Sequence, residues 1–206
     1  VGGGAAGMMA AYAAALKGHS VRLFEKNEKL GKKLYLTGKG RCNMTNAAPI
    51  EDFFDNIVTH GNFLYSAFYT FSNAQLIEMM NALGLNTKTE RGGRVFPASD
   101  KSSDVIKTLQ IALKKVGAVC SLGANVSDIT ITDGRAAGIV CNGQRLLFDS
   151  VIVATGGLSY PSTGSTGDGY KFARRAGHTI VHPQPSLVAV DTLEDVKSLA
   201  GLTLKN

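Results

Sequence analysis

The spacing of apolar residues divides the first half of the chain into helical and extended segments. Residues 5–17 are alanine-rich and predict a helix, and Gly18 follows where a helix C-cap glycine belongs. Residues 20–25 alternate in the manner of a short strand. Helical spacing returns in pieces between residues 53 and 84 and again from 103 to 116. We therefore expect the helices of the first half to be separated by short extended segments.

The later part of the chain consists mainly of short extended segments. Asp133-Gly134 and Asn142-Gly143 are typical hairpin turns, and they divide residues 118–148 into a predicted β-meander. Residues 150–154, with the sequence Ser-Val-Ile-Val-Ala, resemble a strand buried in a parallel sheet. Residues 167–176 predict a further helix. Helices mixed with a buried parallel strand place the chain in the α/β class.

Composition narrows the class of protein. The chain has 206 residues, and its three cysteines, Cys42, Cys120 and Cys141, are widely spaced and include no C-x-x-C motif. This argues against a disulfide framework and a structural zinc site, and favours reduced thiols in a cytoplasmic protein. No apolar run approaches the ~18 residues that a membrane span needs, so we expect no membrane partner.

The net charge of +6 is concentrated in one segment. Residues 22–41 contain seven basic and two acidic side chains. Nucleic-acid surfaces usually interleave basic and aromatic residues along a stripe, and this chain lacks that pattern. For most of these lysines a solvated loop is the expected role, but together they attract a small phosphorylated ligand. We therefore expect a small-molecule substrate rather than nucleic acid.

The glycine content, 24 of 206 residues, points to close approaches of the backbone to a ligand. Gly2, Gly4 and Gly7 form a G-x-G-x-x-G motif that opens the first predicted helix, and Glu25 ends the strand that follows. In a dinucleotide site these glycines allow a tight turn, approach of the pyrophosphate and packing of helix on strand. The acidic residue then accepts hydrogen bonds from the ribose hydroxyls.

A Rossmann unit also needs a strand before its first glycine. Only Val1 precedes Gly2, so we expect the chain to begin at the end of that strand. If the ends are genuine, the sheet is incomplete and the chain unstable unless other residues complete it.

Two further segments repeat the signature of backbone approach to a ligand. The apolar run at 150–154 ends in Ala154, Thr155, Gly156 and Gly157, a second contact with a dinucleotide. The loop 31–46 contains short polar residues that can form hydrogen bonds with the polar ring of a ligand and with the chain attached to that ring. Within that loop, Arg41 can face anionic oxygens. Cys42 is either redox-active beside a bound cofactor or a small buried filler, and the second role is favoured.

The remaining polar residues supply no clear catalytic acid or base. Asp168, at the start of the last predicted helix, is expected to N-cap it, with a ligand contact as the alternative. Ser102 or Ser103 is expected to cap the helix at 103–116. Arg91 and Arg94 flank a Gly-Gly turn and either bind an acidic substrate or are solvated. The four histidines are expected to be structural or exposed.

Four segments together resemble one bacterial family. They are GGGAAGMMAA, GKGRCNMTN, RGGRVFPASDKSSDV and ATGGLSYPSTGSTGDGY. On these motifs the chain is similar to the BaiN-like NAD(P)/FAD-dependent oxidoreductases, also described as aminoacetone-oxidase-like flavoproteins, over residues 1–206. The TGDG stretch is more distantly similar to fumarate-reductase-type flavoproteins.

The resemblance implies a Rossmann-like FAD-binding domain of the glutathione-reductase type, truncated at both ends. Residues 1–190 would form this domain, with a helical insertion at about 50–117, and 191–206 would begin a second, inserted domain that faces the substrate. The family's chain is about twice as long. Hydride would pass from NAD(P)H to flavin N5 and then to an unsaturated or carbonyl substrate.

The implied cofactor contacts are as follows. The glycine motif would hold the pyrophosphate, Glu25 the ribose, and Val126 the adenine through its backbone. Arg41, Cys42 and Asn43 would lie towards the isoalloxazine. The full predicted set is Gly2, Gly3, Gly4, Ala5, Ala6, Gly7, Glu25, Lys26, Lys33, Thr37, Gly38, Arg41, Cys42, Asn43, Val126, Ala154, Thr155, Gly156 and Gly157.

Two alternatives to a small-molecule oxidoreductase remain open at this point. One is a flavoprotein that modifies tRNA, for which the net charge leaves room. The other is a non-catalytic flavin-binding fragment. Neither the choice between NADH and NADPH nor the oligomeric state follows from the residues.

Overall fold

A computed structural model describes residues 1–185, 187 and 192–202. The helices are α1 (Ala5–Leu16), α2 (Ile50–Asp55), α3 (Gly61–Thr70), α4 (Asn73–Ala82), α5 (Ser102–Lys115) and α6 (Asp168–Arg175). The strands are β1 (Arg22–Phe24), β2 (Thr45–Asn46), β3 (Thr87–Thr89), β4 (Arg94–Pro97), β5 (Val119–Ser121), β6 (Val126–Thr132), β7 (Arg135–Cys141) and β8 (Gln144–Leu147). The predicted mixture of helices and strands is confirmed.

The first core lies between α1, β1 and α5. Met8 of α1 and Leu113 of α5 are fully buried in it, and Leu23 of β1 packs in the same cluster. α1 ends as predicted: the Gly18 N–H donates to the Ala15 carbonyl at 2.9 Å, with a φ of +86° at Gly18. Burial of these apolar side chains fixes the start of the chain against the middle of the sequence.

The predicted cap of α5 is wrong. The helix begins at Ser102, one residue earlier than the spacing suggests, and Lys101 occupies the N-cap without a side-chain hydrogen bond. Ser102 is buried at the first helical position. Packing of the helix against the core therefore set its start.

A small parallel arrangement brings together four segments that are distant in sequence: residues 1–2, β1, β5 and residues 152–154. β1 pairs in parallel with β5, Arg22 opposite Val119. On the other side of β1, the Gly2 N–H donates to the Phe24 carbonyl at 2.8 Å. The Val1 amino group donates to the Ile152 carbonyl at 2.7 Å, and the Ala154 N–H donates to the Val1 carbonyl at 2.8 Å. This alternation is the hydrogen-bond pattern of parallel strands.

Residues 150–154 are nevertheless not a strand, which corrects the prediction. Two hydrogen bonds to Val1 align the segment with the parallel arrangement, but they are too few to make a ladder. Ile152 and Val153 keep 55% and 43% of their surface exposed. The apolar pattern thus correctly indicated that the segment aligns with the parallel strands. It wrongly predicted that the segment is itself a regular, buried strand.

Two antiparallel sheets complete the architecture. The first has the strand order β2-β4-β3, with α2, α3 and α4 between β2 and β3 along the chain. The second is the meander β6-β7-β8, which the sequence predicted with one strand too many. The segment at 118–122, expected to open the meander, contains β5 and pairs in parallel with β1 instead. Asp133 and Asn142 adopt positive φ before Gly134 and Gly143, as two-residue hairpin turns require. Phe172 of α6 is buried in the same cluster as Ile139 of β7, so α6 covers the meander.

The predicted domain organisation is only partly covered by described residues. Within 50–117, the expected helical insertion, β3 and β4 lie between the helices. The boundary expected at 190/191 lies outside the described residues. Among the described residues, no helix is long and apolar enough to cross a membrane, and no group of three or more metal-ligating side chains is found.

Candidate functional site

A cleft of about 360 Å³ opens where the carboxyl ends of the parallel segments meet. In open α/β sheets this edge is the usual ligand-binding position. The cleft is lined by twelve residues predicted to bind a cofactor: Gly2, Gly4, Ala5, Ala6, Glu25, Lys26, Lys33, Thr37, Val126, Ala154, Thr155 and Gly156. The fold therefore brings together segments that are more than 100 residues apart in sequence.

The glycine motif divides into positions that pack and a position that faces open space. A Cβ at Gly2 would overlap the carbonyl oxygen of Ala154, and a Cβ at Gly7 would overlap that of Gly2. Gly2 also has a φ of +101°. At Gly4, in contrast, a Cβ would meet no atom of the described residues within 4 Å. Gly2 and Gly7 thus allow backbone packing, whereas Gly4 keeps the cleft open.

The N-terminus of α1 points at this space. Gly4 is the N-cap, and the first intrahelical bond runs from the Met8 N–H to the Gly4 carbonyl at 2.9 Å. The N–H groups of Ala5 and Ala6, which line the cleft, precede that bond. The helix dipole adds partial positive charge at the same end. This arrangement suits an anionic group such as a phosphate.

Glu25 is the buried acid of the cleft, with 7% of its surface exposed. Its Oε2 accepts a hydrogen bond from the Gly3 N–H at 2.6 Å. Its Oε1 accepts two from Asn27, from the backbone N–H at 2.8 Å and from Nδ2 at 2.6 Å. These bonds hold the carboxylate at the predicted position beside the glycine motif.

Lysines from the basic segment reach the cleft and bind the opposite wall. Lys26 Nζ donates to Asp168 Oδ2 at 2.7 Å and to Thr166 Oγ1 at 2.8 Å. Lys33 Nζ donates to the Ser159 carbonyl at 2.8 Å. Positive charge thus lies on the cleft wall itself, whereas most of these lysines were predicted to be solvated.

Asp168 is not an N-cap, contrary to the prediction. α6 begins at Asp168 and Gly167 holds the N-cap position, so the Asp168 carboxylate is available to Lys26. Burial opposes ionisation of this carboxyl, but hydrogen bonds from Lys26, Lys171 and Thr166 outweigh it and hold its pKa below the usual range. The ion pair joins the two walls of the cleft.

The loop 31–46 contributes less to the cleft than predicted. Thr37 lines it, but Arg41 donates to Glu90 at 2.8 Å and Asp100 at 3.3 Å and stacks 4.0 Å from the Phe96 ring centroid. Arg41 therefore anchors the loop to the β4 region, and its guanidinium is already engaged by carboxylates.

Cys42 behaves as a packing residue. It is 1% exposed within the core cluster of α1 and α5, and burial raises the pKa of its thiol, with a smaller opposing effect from Thr37. A thiol kept protonated in an apolar core is a poor nucleophile. The geometry favours the filler role over the redox role.

The other predicted residues lie beside the cleft rather than along its wall. Gly3 supplies the N–H to Glu25, and a Cβ at Gly38 would come within 2.8 Å of the Asn43 backbone nitrogen. Asn43 is exposed, and Gly157 lines a neighbouring cleft between the meander and α6. These positions shape the surroundings of the cleft.

Several residues outside the predicted set of cofactor contacts also line the cleft. They are Phe24, Asn27, Lys32, Leu34, Ala124, Thr163, Gly164 and Ser165. Of these residues, only Asn27 could have been identified from its place in the sequence, because it lies two residues after the acidic residue Glu25. Thr163 to Ser165 lie within the segment ATGGLSYPSTGSTGDGY, which carries the family resemblance, but none of the three was predicted to contact the cofactor.

Comparison with known proteins identifies the chain's relatives. The model of the HI0933-like protein Rossmann domain matches residues 1–205. The chain is 37% identical to the 3-dehydro-bile acid delta(4,6)-reductase of Clostridium scindens over 91% of this chain and 46% of that protein. It is 30% identical to the ribosomal RNA dihydrouridine synthase of Haemophilus influenzae over 98% of this chain and 51% of that protein. The chain thus spans about half the length of the curated relatives it matches.

Solved structures agree on the fold. The open conformation of a flavocytochrome c3 fumarate reductase superposes with a TM-score of 0.61 at 21% identity, over 85% of this chain and 39% of that one. At this identity the likeness concerns the fold alone. The predicted Rossmann-like architecture is confirmed by the family match and by this superposition.

Proposed function

Since the chain belongs to the HI0933-like Rossmann-domain family, we propose that it binds FAD and forms the cofactor-binding part of an oxidoreductase. The observation that carries this proposal is the cleft, where a glycine-lined helix N-terminus and a buried carboxylate stand side by side. The enzyme class agrees with that of the reductase relative from Clostridium scindens.

The residues of the cleft fit a dinucleotide. The open space beyond Gly4 admits a group that a side chain would displace. The first turn of α1 and the nearby Lys33 suit a pyrophosphate, which carries negative charge. Glu25 suits a ribose hydroxyl, because a carboxylate accepts hydrogen bonds. Val126 lines the same cleft and suits the adenine.

In this proposal, the chain's own residues bind and orient the cofactor and keep its pyrophosphate beside the N-terminus of α1. FAD, when bound, supplies hydride acceptance and donation at its isoalloxazine ring. We extend the proposal to NADH or NADPH as the hydride source. Among the described residues, the structure singles out no side chain as a general acid.

The proposed substrate class is a small organic molecule with a reducible carbon–carbon double bond. Both relatives' names describe such a change, in a 3-dehydro bile acid with delta(4,6) unsaturation and in the conversion of uridine to dihydrouridine. A shared reaction on different substrates is consistent with one cofactor-binding fold and differing substrate surfaces.

The visible spectrum of the purified protein tests the proposal. We expect a flavin spectrum, either directly or after reconstitution with FAD, and anaerobic bleaching on addition of NADH or NADPH. Absence of binding after reconstitution would refute the FAD site. Binding without bleaching by either nicotinamide would leave the FAD site intact and refute the hydride source for this chain.

Reduction of a uridine in RNA is a second candidate function, supported by the Haemophilus influenzae relative and the net charge of +6. Against it, residues 42–87 contain four acidic residues and no lysine or arginine, although the exposed Phe63, Tyr65 and Tyr69 lie there. Along the sequence, basic side chains therefore do not accompany these exposed rings. A nucleic-acid surface combines the two.

An electrophoretic titration with a ribosomal RNA fragment separates the two functions. Specific RNA binding would weaken steeply as salt rises, because phosphate contacts release counterions. We expect no such complex at physiological salt. A salt-dependent complex under those conditions would favour the RNA substrate.

A further inference from the structure

Asn27 connects the acidic residue of the cleft to three other segments. Its backbone N–H and its Nδ2 both donate to Glu25 Oε1, at 2.8 and 2.6 Å. Nδ2 also donates to the Thr163 carbonyl at 3.1 Å. Lys32 Nζ donates to Asn27 Oδ1 at 3.3 Å, and the Gly123 N–H donates to the Asn27 carbonyl at 3.0 Å.

These bonds determine how much of the carboxylate remains available. A carboxylate offers about four acceptor positions, two on each oxygen. Asn27 takes both positions of Oε1, and the Gly3 N–H takes one of Oε2. Within the described part of the chain, one position of Oε2 is left for a ligand.

The space around Asn27 fixes its side chain as well. A Cβ at Gly164 would lie 2.7 Å from Asn27 Nδ2, so this glycine lets the Thr163 turn approach the amide closely. Asn27 itself lines the cleft beside Lys32. The amide therefore has donors and acceptors on several sides and little freedom to rotate.

We infer that Asn27 is a positioning residue for the adenosine half of the cofactor: it saturates Glu25 Oε1 and leaves Oε2 to accept a single ribose hydroxyl. This inference rests on the proposed function, because it takes FAD as the ligand. It assigns Asn27 an effect through Glu25 and no contact with the reacting ring. FAD has the adenosine half and FMN lacks it, so the two ligands separate this role from general damage to the fold.

The test measures the dissociation constants of FAD and FMN, by fluorescence titration of the stripped protein, for wild type, N27A and N27D. We expect N27A to weaken FAD roughly tenfold, as for loss of a hydrogen bond to a charged group, and to leave FMN within about twofold. N27D keeps the shape but faces Glu25 with a second carboxylate, so we expect a larger loss at pH 7. Because a protonated carboxyl can again donate to Glu25, FAD binding by N27D should recover partly near pH 5, relative to wild type.

N81A serves as the matched control. Within the described part of the chain, the Asn81 side chain bonds Ile77 and Thr87 and none of the residues that line the cleft. Loss of this amide should not change the ratio of FAD to FMN affinity. A ribose analogue adds a second readout: of 2′-deoxy-ADP and 3′-deoxy-ADP, only one should compete more weakly than ADP with FAD.

The outcomes separate the two proposals. Failure of the wild type to bind FAD refutes the proposed function and, with it, the inference. Normal FAD binding by wild type together with an unchanged FAD to FMN ratio in N27A and N27D refutes the role of Asn27 alone. Equal weakening of FAD and FMN would show a merely structural role and would also refute it.

Discussion

Single residues of the glycine motif have separable tasks. Gly7 is buried where helix and loop touch, whereas Gly4 faces the open cleft with a φ of −78°, which any residue can adopt. A sequence motif treats the two glycines as equivalent. Their surroundings predict that one substitution damages folding and the other damages binding.

We expect Gly4→Ala to fold normally but to bind FAD roughly tenfold more weakly, a loss of about 1.4 kcal/mol, because the added methyl enters the ligand space. Gly7→Ala should instead lower the free energy of unfolding by about 2 kcal/mol, because its Cβ meets backbone. Urea denaturation and FAD titration measure the two effects. Equal FAD affinity in G4A and wild type would contradict the ligand position.

The three thiols also differ at the residue scale. Cys42 and Cys141 are buried and Cys120 is exposed on β5. Partial burial raises the pKa of the Cys120 thiol, so its reaction at neutral pH is slow, but reagent can reach it.

Labelling of the native protein with a thiol reagent should therefore modify one cysteine, and Cys120→Ser should abolish that reaction. Denaturation should expose all three thiols. Rapid native labelling of Cys42 would instead indicate a reactive thiol and revive its redox role.

At the scale of elements, the ion pair between Lys26 and Asp168 links the end of β1 to the start of α6. The two side chains are 30% and 21% exposed, so solvent screens the pair only partly. Lys171, one turn along α6, binds the other carboxylate oxygen at 3.2 Å. The helix is thus tied to the cleft at its first residue.

The depressed pKa of Asp168 predicts a dependence of stability on pH. Its contribution is complete above the unfolded pKa of about 4 and is lost as the pH falls through the lower folded pKa. Asp168→Asn should cost about 1 kcal/mol at pH 7 and show a shallower loss of stability below pH 4 than wild type. Thermal unfolding across pH 2–7 measures this, and parallel curves for the two proteins would contradict it.

At the scale of the whole molecule, the cleft is built by four regions that are distant in sequence: residues 1–6, 24–37, 124–126 and 154–168. A ligand that contacts all four binds the native state and not the unfolded chain. Its binding energy therefore adds to the stability of the whole arrangement.

FAD at 100 times its dissociation constant should stabilise the protein by about 2.7 kcal/mol, which raises the melting temperature by about 5–10 °C for a chain of this size. Differential scanning calorimetry with and without FAD measures the shift. Riboflavin, which lacks the pyrophosphate and adenosine, should give a much smaller one. Equal shifts in melting temperature with FAD and riboflavin would contradict this prediction, because the pyrophosphate and adenosine would then contribute no binding energy.

The sequence by itself determined the local features of this protein. The end of α1 at Gly18, the two hairpin turns of the meander and the pairing of a glycine motif with an acidic residue all follow from short-range chemistry. Glycine alone relieves positive φ and close backbone contact, and alternating apolar residues predict half-buried strands. These features indicated a dinucleotide-binding Rossmann-like fold, whereas other cleft contacts, such as that of Val126, were predicted only from the family resemblance.

Only the tertiary structure decided which polar groups meet. The spacing of residues does not tell that Arg41 binds Glu90 and Asp100, that Asp168 reaches Lys26, or that Asn27 saturates one oxygen of Glu25. Each of these contacts depends on side chains brought together by burial of apolar surface elsewhere. Burial acts on the whole chain and is non-directional, so it brings together hydrogen-bonding partners that no local pattern encodes.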